Sequence, residues 1–447
     1  MGKELLSAAI AMLLGGASAV AGAQNKAYLQ GRTLDANGKE RLFFKAGEPI
    51  IFEIRFQGAA EAPDGAFIKW TRTGDDDDSN DRQGQVAASQ NPVRIETALD
   101  RPGFVRLQAR LVNKDGKPCF QNPGRNFDGG AGVEPEKLRG VDEPTDFDSF
   151  WARQKKRLAD MPLEVRRKEL PSEWGKVYAV EIDCPSVRPV TGYLTIPPNA
   201  SREHPVLCSL NTHGYGFNVP HKPPLKADRS GVNLTINAHG VRLPAFGADD
   251  DYYKALRWEI RNKNGYGGYY DYACDPDQNA DPVTAYFNGM ALRVLRALQY
   301  LRTLPEWNGK DLWVCGGSQG GLQAIWAAGL DGYVTYAIAP VVWSCDMGGT
   351  TFGRNRGDWY VKWTERSKNG LGYYDPVNVA KRIPKTCRVN IERAGLGDYV
   401  SPPSGLAVLY NNIPGPKKIV WVQGSTHGFV PAYGCQKETW SKDWSSQ

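Results

Sequence analysis

One serine between glycines, followed much later by an aspartate and a histidine on loops, is the set of residues that acyl transfer requires. The segment Gly316-Gly317-Ser318-Gln319-Gly320-Gly321 comes directly after the run Asp311 to Cys315 and directly before Leu322 to Ala328. A serine hydroxyl is a weak nucleophile. It becomes useful when a tight strand-to-helix turn lifts it above a sheet, and that turn needs small residues two before and two after the serine. Gly316 and Gly320 occupy those positions. A glycine-rich loop ahead of a helix can also cradle phosphate, but the lysine of a P-loop and the spacing of a dinucleotide fingerprint are both missing.

Serine needs a base, and near neutral pH that base is usually histidine. Of His204, His213, His221, His239 and His427, only His427 follows Ser318. It lies in Gly424-Ser425-Thr426-His427-Gly428, just past the apolar run Ile419 to Val422. The chain order serine, acid, histidine then asks for a carboxylate between the two. Asp398 fits best: it follows the run Arg388 to Glu392 on a loop and precedes Ser401-Pro402-Pro403. Its rivals are Asp346, Asp358, Asp375 and Glu392, of which Asp375 precedes a proline and reads as a helix cap. A tetrahedral intermediate also needs two backbone N–H donors for its oxyanion. The residue after the nucleophile, Gln319, supplies one. Tyr215, in the loop Asn211-Thr212-His213-Gly214-Tyr215-Gly216, is the second candidate.

These residues need a scaffold. From Val177 onward, short apolar runs alternate with helical patterns, the sign of a mainly parallel sheet covered on both faces. The runs are Tyr178 to Ile182, Gly192 to Ile196, Pro205 to Leu210, Val232 to Asn237, Leu312 to Cys315, Tyr336 to Pro340, Arg388 to Glu392 and Ile419 to Val422. Helices are expected over Ala285 to Leu304, Gly320 to Ala328 and Ser404 to Asn412. That order is the one an eight-stranded α/β-hydrolase needs, over residues 146–447, with an amphipathic helix at Phe147 to Leu158. Ahead of it, residues 25–125 alternate with a period of two between turn residues, which predicts a small antiparallel, immunoglobulin-like β-sandwich. Residues 126–145 read as a Gly-rich, polar linker. The acidic run Asp75 to Asp78 lacks the ligand spacing of a calcium loop and reads as a solvated turn.

Residues 1–24 have the pattern of a secretory signal peptide: Lys3, the apolar segment Leu5 to Val20, and small residues Ala21-Gly22-Ala23. A secreted or periplasmic protein, with no membrane contact after cleavage, is the expectation. The eight cysteines are even in number and their pairing is not legible. No CxxC pair occurs and the histidines do not cluster with cysteines, so no metal site is expected. The formal charge of +6, from 55 basic and 49 acidic residues in 447, is spread along the chain. It marks no nucleic-acid-binding block.

With these motifs in place, the chain resembles the acetyl xylan esterase and cephalosporin C deacetylase family, carbohydrate esterase family 7. The resemblance runs from Asp146-Phe147-Asp148-Ser149-Phe150-Trp151 through His213-Gly214-Tyr215-Gly216, the Ser318 segment and Gly397-Asp398-Tyr399-Val400-Ser401-Pro402-Pro403-Ser404 to the His427 loop. It implies an α/β-hydrolase with Ser318 as nucleophile, Asp398 and His427 as its partners, and the amides of Tyr215 and Gln319 as oxyanion hole. It further implies deacetylation of acetylated xylan or xylo-oligosaccharides without cofactor or metal. The short family members lack the β-rich first domain and form ring-shaped hexamers, so a homo-oligomer is left open here. Aromatic residues after the Tyr336 run, Trp343, Trp359, Trp363 and Tyr373, are candidates to stack on sugar rings. Two rival readings are a prolyl-oligopeptidase-like peptidase, for which the first domain is too short to be a propeller, and a glycan-binding protein on an inactive scaffold. The first domain reads as a brace for the second rather than as a glycan binder.

Overall fold

The computed structural model describes residues 27–58, 62–76, 82–213, 222–237, 239–259, 275–356, 361–432 and 434–444. Residues 1–24, expected as a signal peptide, lie outside these.

The large sheet has ten strands, in the order β18-β17-β16-β15-β14-β12-β13-β11-β10-β9. They are β9 (Val165–Leu170), β10 (Lys176–Ile182), β11 (Val190–Ile196), β12 (Val206–His213), β13 (Val232–Asn237), β14 (Trp307–Cys315), β15 (Tyr336–Ile338), β16 (Arg388–Gly395), β17 (Lys417–Val422) and β18 (Lys437–Lys442). From β13 to β17 neighbours are parallel. The flanking pairs are antiparallel. The expected count of eight is corrected to ten, because an edge strand was added on each side. Both are rich in charge (V-R-R-K-E-L and K-E-T-W-S-K), as is usual where an exposed edge has to be protected from further pairing.

Helices α1 (Phe147–Asp160), α2 (Tyr286–Leu301), α3 (Gln319–Leu330) and α4 (Pro403–Asn412) run between the strands. Helices α2 and α3 are buried around nearly their whole circumference, as expected of helices deep in a large core. Trp326 of α3 is fully buried, and its indole N–H donates to the Tyr374 carbonyl at 2.8 Å.

Residues before the large sheet form two further sheets. One holds three strands in the order β1-β3-β6, and the other five in the order β2-β8-β7-β4-β5. Their strands are β1 (Tyr28–Leu34), β2 (Phe43–Phe44), β3 (Ile50–Gln57), β4 (Phe67–Gly74), β5 (Arg82–Ala87), β6 (Val93–Thr97), β7 (Gly103–Val112) and β8 (Phe127–Val133). A common core of Phe52, Ile54, Ile68, Leu107 and Leu111 lies between them. Two expectations change. The stretch read as linker contains β8, an interior strand of the five-stranded sheet. The pairing of β2 with β8 is parallel rather than antiparallel.

The two β sheets pack onto the large domain through apolar and polar contacts. Phe43 meets Trp421 and Trp440 at ring-centroid distances of 5.6 and 4.4 Å. Leu42 and Phe104 belong to the main core. The Gln423 amide bonds the Gly130 backbone in both directions, at 2.9 and 2.8 Å. Asp75, expected on a solvated turn, is instead 2% exposed. Its carboxyl accepts from the backbone N–H groups of Phe104 (2.9 Å) and Asn355 (2.8 Å), so it joins the two domains. Burial pushes its pKa up to about 7 despite these donors.

Candidate active site

Ser318 precedes α3 with φ 56° and ψ −121°, a conformation that L side chains rarely adopt. Such strain persists only where the surroundings over-determine it, and here they do. The Ser318 N–H donates to Pro340 O at 3.1 Å, and Ser318 O accepts from the N–H groups of Leu322 and Trp343, each at 3.1 Å. The flanking glycines are required by close approach. A Cβ on Gly316 would sit 2.2 Å from Thr212 Oγ1, and one on Gly320 would sit 2.3 Å from Thr212 O. The turn is thus wedged against the end of β12, and the Thr212 hydroxyl fastens it by donating to Gly320 O at 2.8 Å.

His427 arrives from the loop after β17. Its Nε2 lies 2.9 Å from Ser318 Oγ, and its Nδ1 lies 3.0 Å from Asp398 Oδ2. The Asp398 side chain is wholly buried whereas that of His427 is 29% exposed. Asp398 Oδ1 accepts from the backbone N–H groups of Val400 (3.0 Å) and Ser401 (2.9 Å). These two donors fix the carboxylate so that only Oδ2 faces the imidazole. An ionised carboxylate can only accept, so Nδ1 carries the proton and Nε2 presents its lone pair to the serine. Ser401 Oγ in turn donates to Val341 O at 2.9 Å, tying the acid's loop to the turn that follows β15.

Gln319 is the first residue of α3, so its backbone N–H has no acceptor within the helix and sits at the positive end of the helix dipole. Tyr215 lies outside the described residues, as does Trp359. Asp358 also lies outside the described residues, and the other rivals of Asp398 are otherwise engaged: Asp375 caps a short helix by accepting from Val377 N, Asp346 pairs with Arg354, and Glu392 accepts from Asn390.

Among the described residues, none of the aromatic candidates Trp343, Trp363 and Tyr373 lines the cleft at His427. Trp343 is buried in the core beside Phe287. Tyr373 stacks on Phe147 with centroids 6.2 Å apart, and its hydroxyl donates to Asp146. Trp363 packs on the main core from its edge. Their ring faces are occupied by protein, so the expected sugar-stacking role is corrected for Trp343 and Tyr373.

What does face His427 comes from the first domain. A cleft of about 710 Å³ is lined on one side by Asp398, Tyr399, Thr426, His427 and Phe429. On the other side it is lined by Arg106, Gln108 and Arg110 of β7, with Asp128 of β8 and the segment Phe120 to Asn126. Arg106 makes a two-pronged pair with Asp128 (2.8 and 2.7 Å) and lies over the Tyr399 ring at 4.2 Å. The first domain therefore presses on the residue next to Asp398. A polar alternation Arg106-x-Gln108-x-Arg110 is the only trace of this in the sequence, since it marks one face of β7 as solvent-facing.

A mainly parallel sheet that lifts a strained serine at a strand-to-helix turn, with histidine and aspartate on later post-strand loops, defines an α/β-hydrolase-type fold. Solved structures agree: an acetyl xylan esterase from Paenibacillus sp. R4 has a TM-score of 0.54 at 22% identity, covering 67% of this chain and 94% of that one. Acetyl xylan esterase 1 from Thermoanaerobacterium sp. JW/SL YS485 gives 0.50 at 20% identity, covering 66% and 92%. The acetyl esterase Axe7A of Xylanibacter ruminicola is 28% identical over 345 residues, 75% of this chain and 73% of that protein. The family model of acetyl xylan esterases (AXE1) matches residues 136–444. The chain belongs to the acetyl xylan esterase family and is a carboxylic ester hydrolase.

Among the described residues no helix is long and apolar enough to cross a membrane, and no group of acidic, histidine and cysteine side chains is arranged to hold a metal ion. Cys119, Cys184, Cys208, Cys315, Cys387 and Cys435 are free thiols.

Proposed function

We propose that this protein removes acetyl groups from acetylated xylan or xylo-oligosaccharides by serine acyl transfer, after export directed by residues 1–24. The observation that carries the reading is the hydrogen-bonded line Ser318 Oγ, His427 Nε2, His427 Nδ1, Asp398 Oδ2, at 2.9 and 3.0 Å, in a chain of the acetyl xylan esterase family.

In the first half-reaction His427 Nε2 takes the Ser318 proton as Oγ attacks the acetyl carbonyl carbon. The buried Asp398 carboxylate holds the imidazole in the right tautomer and stabilises its positive form. The carbonyl electron pair moves onto oxygen, where the Gln319 amide, with Tyr215 as its partner, receives it. Collapse expels the sugar alkoxide, which takes the proton from His427 as it leaves. An acetyl-enzyme remains on Ser318. Water, deprotonated by the same imidazole, repeats the sequence and releases acetate.

Acetate release from acetylated xylo-oligosaccharides, set beside cleavage of prolyl peptide anilides, tests the reading. Turnover of the sugars without cleavage of the anilides is expected. Cleavage of the anilides with no acetate release would move the protein to the peptidases, and binding of the sugars without turnover of either would make it a lectin-like scaffold.

A further inference from the structure

The inference concerns the outer face of the five-stranded sheet, whose strands β7 and β8 line the cleft that also holds His427 and whose strands β4 and β5 extend away from it. Alternation along a strand puts Arg106, Gln108 and Arg110 of β7 on one face. The register places Thr73, Thr71 and Lys69 of β4 directly across from them, and Gln83 and Gln85 of β5 continue the row beyond Thr71 and Lys69. This face is built from amide, hydroxyl and cationic groups, the side chains that hydrogen-bond sugar hydroxyls. From Arg106 to Arg110 it extends roughly 14 Å at the rise of an antiparallel strand, enough for a short oligosaccharide leaving the serine.

Its charge is unbalanced. Arg106 is neutralised by Asp128, which Gln108 also engages at 2.9 Å. Lys69 and Arg110 are directly opposed across the β4–β7 pair, both are exposed, and neither joins any of the ion pairs among the described residues. Like charges at directly opposed positions of an antiparallel pair destabilise it. Water screens much of this repulsion between exposed side chains, and an anion placed between the two cations would turn it into attraction. Arg110 lines the same cleft as His427, so the anion would be carried by the substrate of the serine.

Building on the deacetylase reading, we infer that the first domain supplies a glycan subsite whose Lys69 and Arg110 hold a carboxylate, so that the preferred substrates are acetylated xylo-oligosaccharides bearing uronic-acid side groups.

The test measures binding rather than turnover, so that it stands apart from the fate of the deacetylase reading. Isothermal titration would compare a non-acetylated xylo-oligosaccharide carrying one glucuronosyl group with the unsubstituted chain of the same length. The expected preference of the wild type for the acidic sugar is roughly tenfold at low salt, the scale of one screened charge-assisted contact. It should weaken steadily with added NaCl and vanish in K69Q/R110Q. Charge reversal in R110E should turn it into a preference for the neutral chain. Melting curves of both variants check that these exposed substitutions leave the fold intact. A wild type that binds both sugars equally or binds neither, or a preference that survives K69Q/R110Q, would overturn the inference. Loss of acetate release with the binding preference intact would instead overturn the deacetylase reading alone.

Discussion

Ser318→Ala is expected to lower kcat for acetate release by about a million-fold, the scale seen when a serine nucleophile acting in concert with its histidine is removed. The size follows from the geometry. Among the described residues, Ser318 is the side chain hydrogen-bonded to His427 Nε2, at 2.9 Å, and without its hydroxyl the covalent route through Ser318 is lost. Residual turnover would come from the backbone donors and from binding, which still favour direct attack by water. The fold should tolerate the change. The strained backbone at 318 is held by main-chain bonds to Pro340, Leu322 and Trp343, none of which uses the side chain. Binding of the oligosaccharide should therefore survive, and parallel measurement of acetate release and of sugar affinity separates loss of chemistry from loss of structure.

The second large effect is Asp398→Asn, with an expected fall of about ten-thousand-fold. Asparagine has one acceptor oxygen and one donor nitrogen. The N–H groups of Val400 and Ser401 both point at the Oδ1 position, so they select the orientation that puts the amide oxygen there. The amide NH2 is then turned toward His427 Nδ1. Two donors cannot face each other, so the imidazole proton moves to Nε2, the atom that must accept from Ser318. The variant should keep its melting temperature nearly unchanged while losing turnover. Equal activity in Asp398→Asn and wild type, measured as kcat on an acetylated sugar, would remove Asp398 from the mechanism.

Much of this arrangement is legible in the sequence because it is local. Each of the eight expected strands of the large sheet is a short run of apolar, β-branched or aromatic residues bounded by turn formers, and each is present. The Ser318 turn announces itself by its glycines, and chain order singles out His427. What was not legible has physical reasons. The edge strands β9 and β18 carry mainly polar side chains because one side of each has no partner strand. In β8 the sequence Phe-Asp-Gly-Gly-Ala-Gly-Val looks like a flexible connector, yet its glycines let the strand lie close to β7 and to the loop leading to Asp398. A Cβ on Gly130 would come 2.5 Å from Val105 O and 2.8 Å from Leu396 O. Trp343 and Tyr373 have the composition of a sugar platform, but an aromatic ring reads the same in sequence whether it faces a ligand or the core. The cleft itself joins residues at opposite ends of the chain, Arg110 and His427, and no local pattern reports such a meeting.

This meeting also alters the part assigned to the first domain. It does brace the second, through Phe43 on Trp421 and Trp440 and through Gln423 on Gly130. Through Arg106 over Tyr399 it additionally reaches the loop that holds Asp398. The outer face of one sheet serves both the support and the cleft: Phe43 and Phe104 pack on the large domain, and Arg106, Gln108 and Arg110 farther along β7 line the cleft.

The central claim is that acetyl passes from the sugar to Ser318 before it reaches water. Acid quenching during turnover of an acetylated xylo-oligosaccharide, followed by peptide mass analysis, tests it most directly. The account predicts a gain of about 42 Da, one acetyl in place of one hydrogen, on the peptide containing Ser318. The gain should be absent in Ser318→Ala. Steady acetate release with no acetylated serine at any quench time, or with the acetyl group on another residue, would contradict it.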